Sequence, residues 1–231
     1  ACTYLDRQIG RVLESLRENG LEEDTRIIYT SDHGENLGTR GMFGKMTLYE
    51  ESSAVPLIMA GPDVPQGKVV NTPVSLVDCF PTLVEAVGAE LTAADEDLPG
   101  ESLWNIAQED DRERTVFGEY HAVGSRHASY MLCDGHYKYV HHVGEKDQLF
   151  DLARDPLEQH DLVDDLACGT IIEGFEKELR HLLDPEAVDA QAKVDQQRRV
   201  EEVGGVKAVL QRGAFQNSPV PGEKPAFRQF H

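Results

Sequence analysis

The chain has 231 residues, 40% hydrophobic and 28% charged, a composition typical of a soluble globular protein of one or two domains. Its formal net charge of −20 argues against nucleic acid and anionic membranes as partners, because both favour a basic surface. No apolar stretch approaches the roughly twenty residues that a membrane-spanning helix needs.

Helix and strand patterns alternate in the first half of the chain. Apolar residues recur at helical spacing over residues 5–19, and Gly20 ends this helix. Residues 26–30 are β-branched and aromatic, which indicates a buried strand of an α/β sheet, covered by the first helix. A second strand is predicted at 55–60. A helix with Pro81 in its first turn follows, with a predicted apolar face of Leu76, Phe80, Leu83, Val84 and Val87.

The second half of the chain has the pattern of a small α+β unit. Acidic and turn-forming residues mark a boundary over 89–114. After it, with a hairpin turn at Asp134-Gly135, strands are predicted at 115–120, 129–132, 137–142 and 148–150. A helix over 171–183 is expected to pack on this sheet through Ile172, Phe175, Leu179 and Leu182.

These elements predict three regions along the chain. Residues 1–110 form an α/β core, residues 111–185 a small antiparallel sheet with a helix, and residues 186–231 a polar helix followed by an extended tail. The tail from 217 to 231 has too few apolar residues for a core of its own. We therefore expect it either to remain mobile or to wrap another subunit of a homo-oligomer.

The most informative segment directly follows the first predicted strand. Asp32 and His33 leave that strand at its carboxyl end, where ligands gather in α/β sheets. A carboxylate oxygen and an imidazole nitrogen are both ligands of divalent metal ions. Gly34 lets the backbone turn sharply behind them. The sequence therefore predicts a metal site in this loop.

Several motifs carry a resemblance to a known family. In chain order they are Ser31-Asp-His-Gly34, Lys45, and the segments 55–61, 77–83, 136–139, 149–152 and 155–156. They closely resemble the sulfatase branch of the alkaline phosphatase superfamily, especially its choline-sulfatase-like and phosphonate monoester hydrolase-like members. The resemblance runs from about residue 5 to about residue 221. It implies the C-terminal part of an alkaline-phosphatase-like α/β fold, followed by a small antiparallel sheet and a helix.

The nucleophile of this family is missing from the chain. Sulfatases take it from an early Cys/Ser-x-Pro-x-Arg motif, whose first residue is converted to formylglycine. Cys79-Phe-Pro-Thr-Leu83 has a leucine where the arginine is needed, and is interpreted as a helix start. The resemblance therefore implies that the formylglycine and the early aspartate ligands lie upstream in a longer protein. We expect the 231 residues alone to be inactive.

The resemblance also implies roles for three residues of the loop. Asp32 and His33 are expected to bind a divalent metal, Ca2+ in the first place, with Mn2+ or Mg2+ as alternatives. Lys45 is expected to contact the sulfate or phosphate group and to stabilise the charge that develops on it. Plainer interpretations stay open. Asp32 is then a turn or capping residue, His33 a hydrogen-bond partner of the substrate without metal contact, and Lys45 a surface lysine.

A second candidate group lies at the end of the strand predicted at 115–120. Glu119 and His121 are candidate substrate-binding residues, since Glu119 could meet a cationic part of the substrate while Tyr120 supplies a ring face. An ordinary strand end with a structural glutamate is the alternative. Histidines without a partner at ligand spacing are interpreted as surface residues: His141, His142 and His160.

The favoured function is metal-dependent hydrolysis of a small-molecule sulfate ester. A phosphonate monoester or phosphodiester hydrolase of the same superfamily is the first alternative, and a catalytically inert structural or interaction domain is the second. The four scattered cysteines have neither metal-site nor disulfide spacing, so they are interpreted as free thiols of a cytoplasmic protein.

Overall fold

The computed structural model describes residues 2–95, 97–122, 125–215 and 227–228. The first part of the chain forms α1 (Cys2–Glu18), β1 (Ile27–Thr30), α2 (Glu50–Ser53), β2 (Leu57–Ala60), α3 (Cys79–Ala86) and α4 (Leu103–Gln108). The second part forms β3 (Val116–Tyr120), β4 (Ser129–Cys133), β5 (Tyr137–His142), β6 (Gln148–Asp151), α5 (Gly169–Leu182), α6 (Pro185–Glu202), α7 (Gly205–Arg212), β7 (Ala214–Phe215) and β8 (Phe227–Arg228).

The first two strands form an antiparallel pair in which Thr30 lies opposite Leu57. Both strands and α1 occur where the sequence predicts them, but two expectations about burial were wrong. Strand β1 is half-buried throughout, and α1 contains no buried residue. The physical reason is that no other described element covers the apolar side of α1, where Leu5 is 52% exposed and Val12 is 69% exposed.

Helix α3 begins at Cys79 with Pro81 in its first turn, as predicted, but it buries a different face. Its predicted apolar residues are largely exposed: Leu76, Phe80, Leu83 and Val87. Thr82 is fully buried instead, because its hydroxyl accepts a hydrogen bond from Leu103 N (2.8 Å) and its carbonyl accepts one from Trp104 Nε1 (2.8 Å). Polar contacts with α4 therefore determine how the helix is oriented.

The start of α3 is anchored by a buried carboxylate. Asp78 forms a capping box with Ser75 and a bidentate ion pair with Arg114, at 2.7 and 2.8 Å. Burial alone raises the pKa of Asp78, but the hydrogen bonds from Arg114 and from two backbone amides lower it below its ordinary value. The ion pair joins α3 to the segment that leads into β3.

The four predicted strands of the second half form one antiparallel sheet in the order β3-β4-β5-β6. The predicted hairpin at Asp134-Gly135 is confirmed. Asp134 Oδ1 accepts hydrogen bonds from the backbone amides of His136 (2.8 Å) and Tyr137 (2.6 Å), which closes the turn between β4 and β5.

Helix α5 packs on this sheet and completes its hydrophobic core, as predicted. The rings of Tyr139 and Phe175 stack with centroids 6.0 Å apart. Ile172 packs against the core, but the expectation for Leu182 was wrong, since its side chain lies at the end of α5 and is 53% exposed. The principal buried members of the core are Tyr130, Leu132, Tyr139, Leu149, Phe175 and Leu179.

The start of α6 also packs against this sheet. Tyr130 Oη donates a hydrogen bond to Pro185 O (3.1 Å), and Ala128 N donates one to Asp189 Oδ1 (2.8 Å). The division of the chain into regions 1–110, 111–185 and 186–231 stays a prediction. Most of the predicted tail, 217–231, lies outside the described residues. No helix in the described part of the chain is long and apolar enough to cross a membrane.

The described cysteines are free thiols, as predicted, but one histidine was misjudged. His141 is only 9% exposed because it lies in the interior of β5, with its ring stacked near Tyr130. His160 lies at the surface as expected, with a side chain that is 77% exposed.

Candidate active site

The candidate residues lie in a single loop, residues 31–53, which we call the site loop. It leaves the carboxyl end of β1 and returns through α2. Asn36 is 1% exposed and closes the loop on itself, because its backbone N (2.9 Å) and its Nδ2 (2.6 Å) both donate to Gly44 O. This pairing brings the chain back on itself, so that Lys45 lies next to His33.

Gly34 is required by a close approach between the two ends of the site loop. A Cβ atom at this position would lie 2.1 Å from Glu51 O, which no side chain can tolerate without movement of the backbone. Gly34 N instead donates to Ser52 O at 2.8 Å. Ser52 in turn donates from its hydroxyl to Lys45 O at 2.7 Å. The backbones that carry His33 and Lys45 are therefore both tied to α2.

Three polar groups converge at the start of the loop. His33 Nε2 lies 3.2 Å from Asp32 Oδ2 and also contacts Lys45 Nζ. His33 Nδ1 lies 2.7 Å from Gly34 O, and a carbonyl oxygen can only accept. The hydrogen-bond network therefore assigns the proton to Nδ1 in the neutral imidazole, which leaves the Nε2 lone pair facing Asp32 and Lys45.

This lone pair and the neighbouring carboxylate form a donor set that suits a divalent cation. Asp32 is accessible, with 83% of its side chain exposed, and His33 retains 34%. Among the described residues, the Asp32 carboxylate accepts no backbone hydrogen bond, so the turn and capping interpretations have no partner there. The described part of the chain contains no group of three or more potential metal ligands, so these residues supply at most two.

The second candidate pair lies apart from these three residues. Glu119 Oε2 contacts His121 Nε2 at 3.1 Å, and the His121 ring meets Tyr130 edge-on with centroids 5.4 Å apart. No hydrogen bond or ion pair among the described residues joins this pair to the site loop. Glu119 does line a cavity of about 380 Å³ together with Thr30, the last residue of β1.

Sequence reasoning missed the residues that shape the loop. Asn36 and Ser52 are buried and form hydrogen bonds within the loop. Arg40 forms an ion pair with Glu51 at 2.7 Å. Their partners in these contacts lie between 7 and 11 residues away in the chain. One available signal was the position of Asn36 in a glycine-rich loop, where buried asparagine side chains often replace missing backbone hydrogen bonds.

Comparison with known proteins assigns the family. The family model described as Sulfatase matches residues 1–89. Choline-sulfatase from Rhizobium meliloti is 34% identical over 201 residues, which cover 85% of this chain and 39% of that protein. The chain belongs to the sulfatase family. It matches the C-terminal part of that family, as the sequence motifs predicted.

Other sulfatase relatives agree with this assignment. Human arylsulfatase K is 34% identical over 167 residues, covering 67% of this chain and 31% of that protein. The crystal structure of phosphonate monoester hydrolase from Agrobacterium radiobacter aligns with a TM-score of 0.66 and 30% identity, over 77% of this chain and 38% of that one. The α/β fold is thereby confirmed. The chain spans well under half the length of these relatives.

Proposed function

We propose that the protein containing this sulfatase-family chain hydrolyses a small-molecule sulfate ester, with a divalent metal held in part by Asp32 and His33. The observation that carries the proposal is the convergence of Asp32 Oδ2, the Nε2 lone pair of His33 and the Lys45 ammonium at one accessible point. A carboxylate and an imidazole can bind a divalent metal ion. An ammonium group beside them can stabilise the anionic ester that the metal would hold.

Asp32 and His33 fit a divalent metal ion that is also bound by other residues. This chain would supply Asp32 and His33, and residues outside it would supply the remaining ligands. When bound, the metal would polarise the ester oxygens, and a formylglycine outside this chain would supply the nucleophile. Ca2+ is the first candidate. Mn2+ is an alternative because an imidazole ligand is compatible with an ion softer than calcium, and Mg2+ is a further alternative that favours the carboxylate oxygen.

Two residues of the loop have separable tasks in this proposal. The Nδ1–H of His33 donates to Gly34 O, which fixes the ring so that Nε2 faces the ion. Lys45 presents its ammonium to the non-bridging oxygens of the ester, where it stabilises negative charge in the transition state. Lys45 Nζ contacts the same Nε2 atom. A metal held by Nε2 would use that lone pair and would leave the ammonium available to the ester.

A cavity beside the residues that follow Lys45 in the chain supports a small-molecule substrate. It has a volume of about 580 Å³ and is lined by residues 46–49 on one side and by residues 125–129 and 145–148 on the other. This size lies within the roughly 300–1,000 Å³ common for small-molecule sites. We place the organic part of the ester in this cavity. Glu119 lines a different cavity, of about 380 Å³, and Glu119 and His121 remain candidates for binding a cationic group.

The first alternative is hydrolysis of a phosphonate monoester or phosphodiester. It is favoured by the 30% identity to the phosphonate monoester hydrolase, whose structure aligns with a TM-score of 0.66. Tetrahedral sulfate and phosphonate groups offer similar oxygens to a metal and a lysine. The second alternative, an inert interaction domain, predicts no hydrolysis of either ester.

The test compares two esters in the complete protein. We expect turnover of p-nitrophenyl sulfate, a higher kcat/KM than for p-nitrophenyl phenylphosphonate, and loss of turnover with a metal chelator. A preference for the phosphonate would favour the first alternative. Absence of turnover on both, with metal supplied and the formylglycine verified by mass spectrometry, would favour the inert domain. The isolated 231 residues should hydrolyse neither ester.

A further inference from the structure

A buried lysine in the small sheet contacts the site loop. Lys138 lies in β5, and its side chain is only 1% exposed. Its Nζ atom lies 2.6 Å from Glu50 Oε1 and 2.7 Å from Glu158 Oε1, and it donates to Leu48 O at 3.0 Å. None of these partners belongs to the sheet. Because burying an ammonium costs several kcal/mol unless it is paired, these contacts account for its burial.

Glu158 is the second member of the cluster, and its side chain is fully buried. It follows Asp155-Pro156 in a turn where its backbone φ is +49°, an uncommon conformation for a non-glycine residue. While Oε1 meets Lys138, Oε2 accepts a hydrogen bond of 2.7 Å from the backbone N of Glu50. The carboxylate thus links β5 to the first residue of α2.

Arg40 makes a second connection between the same regions. Its guanidinium donates to Glu158 O at 3.0 Å and to Glu51 Oε2 at 2.7 Å, and it lies 4.0 Å from the centroid of the Tyr49 ring. Arg40 of the site loop therefore contacts both the turn that carries Glu158 and the first turn of α2. Cation–π and charge-assisted contacts in partly buried positions are among the stronger polar interactions.

The segment held by this cluster is the one that positions the candidate active site. Ser52 in α2 accepts from Gly34 N and donates to Lys45 O, at 2.8 and 2.7 Å. We propose that Lys138 and Glu158 are positioning residues that brace the site loop through α2, so that His33 and Lys45 keep their mutual orientation. The positioning role rests on the proposed function, whereas the brace itself depends on contacts alone.

The proposal gives a physical task to two motifs outside the site. Lys138 belongs to the motif 136–139, and Glu158 follows the motif 155–156 in the same turn. Lys138 and Leu48 are separated by 90 positions in the chain, and Glu158 and Glu50 by 108. Both motifs converge on the same helix. The small sheet therefore acts as a fixed support for the loop.

The test uses the double variant Lys138→Met/Glu158→Gln in the complete protein. This change replaces the buried pair by neutral groups of similar volume, which proteins often tolerate without loss of stability. We expect hydrogen exchange in residues 42–54 to become about tenfold faster or more, while residues 129–142 change little. We also expect kcat to fall by about tenfold or more with KM nearly unchanged, because the reacting groups lose alignment.

Two further variants keep the test decisive. Lys177→Met is the matched control, since Lys177 is an exposed lysine of α5 that belongs neither to the site loop nor to the cavity assigned to the substrate. It should leave exchange and kcat at wild-type values. If the double variant fails to fold, Glu50→Gln removes one partner of Lys138 from a side chain that is 34% exposed, and should give a smaller change in the same direction.

The outcomes separate the brace from the proposed function. Wild-type exchange in residues 42–54 of the double variant, or of Glu50→Gln if it replaces the double variant, would overturn the brace. Faster exchange with an unchanged kcat would overturn the positioning role. If the wild-type protein hydrolyses neither ester, the proposed function fails, and the exchange measurement still decides whether the cluster holds the loop.

Discussion

The site loop and the four-stranded sheet are held together by different kinds of interaction. The sheet and α5 share a core of buried aromatic and aliphatic side chains, of which Tyr130, Tyr139 and Leu149 are fully buried. The loop contains few buried side chains and is shaped by backbone and polar hydrogen bonds. Hydrophobic burial stabilises whichever residues it covers, whereas hydrogen bonds specify geometry. The sheet and α5 thus provide a stable support, and the site loop sets the positions of the candidate residues.

The largest expected effect lies in the sheet. Leu149 is fully buried in the core, so Leu149→Ala should lower the free energy of unfolding by about 2–5 kcal/mol. Urea unfolding of the complete protein, followed by fluorescence and circular dichroism, measures the change. Leu166→Ala is the control, because Leu166 is 98% exposed and its loss should cost less than about 0.5 kcal/mol. Equal free energies of unfolding for the two variants would contradict the role of the sheet as the stable support.

The second effect lies in the loop and affects rate rather than stability. Lys45→Ala should lower kcat by about 10²-fold, the scale of losing one preorganised electrostatic donor. Unfolding free energy and bound metal should stay at wild-type values, because Lys45 is not part of a buried core. Lys177→Ala changes an exposed lysine of α5 outside the proposed substrate cavity and serves as the control. A near-normal kcat in Lys45→Ala would make Lys45 a surface residue.

A smaller effect is expected from loosening the loop without touching its charges. Asn36→Ala removes the hydrogen bond from Nδ2 to Gly44 O, and should destabilise the loop by about 1–2 kcal/mol. Limited proteolysis should then cut within residues 36–46 earlier than in the wild type, with the sheet intact. Asn105→Ala, at an exposed position of α4, should cut like the wild type. Identical digestion of all three proteins would contradict the organising role of Asn36.

The smallest effect is a pH dependence within the sheet. The ion contact with Asp147, whose Oδ1 lies 3.0 Å from His141 Nδ1, raises the pKa of His141, and this outweighs the opposing effect of burial. A raised folded-state pKa stabilises the fold below the unfolded value of about 6.5, and this stabilisation is lost as the pH rises through the folded value.

Unfolding free energy measured from pH 5 upwards should therefore fall slightly above about pH 6.5 in the wild type. In His141→Gln this decline should be absent. A decline that persists in the variant would assign the pH dependence to another group.

The same comparison explains what the sequence could predict. The strands β3 to β6, the hairpin at Asp134 and helix α5 follow from alternation, turn chemistry and helical spacing, all of which are local. The position of Asp32 and His33 follows from a local motif after β1. These features therefore needed no knowledge of distant contacts.

The errors arise where burial depends on distant partners. The sequence predicted buried faces on α1 and α3 that are exposed in the structure. Hydrophobic periodicity identifies the apolar face of a helix, but it does not show whether another element covers that face. His141 was assigned to the surface because no partner at ligand spacing marks it in the sequence, whereas its partner Asp147 lies in the connection just before β6. The Lys138–Glu158 pair was missed because charged residues are rarely fully buried, and nothing local marks an exception.

Metal content tests the central claim most directly, namely that the site loop binds a divalent ion through Asp32. The complete protein, the isosteric variant Asp32→Asn and the control Asp164→Asn are purified identically and their bound metal is measured by elemental analysis. Asp164 is a suitable control because its side chain is 81% exposed, close to the 83% of Asp32. We predict that metal affinity falls by about tenfold or more in Asp32→Asn and is unchanged in Asp164→Asn. Equal metal content and affinity in all three proteins would contradict the account.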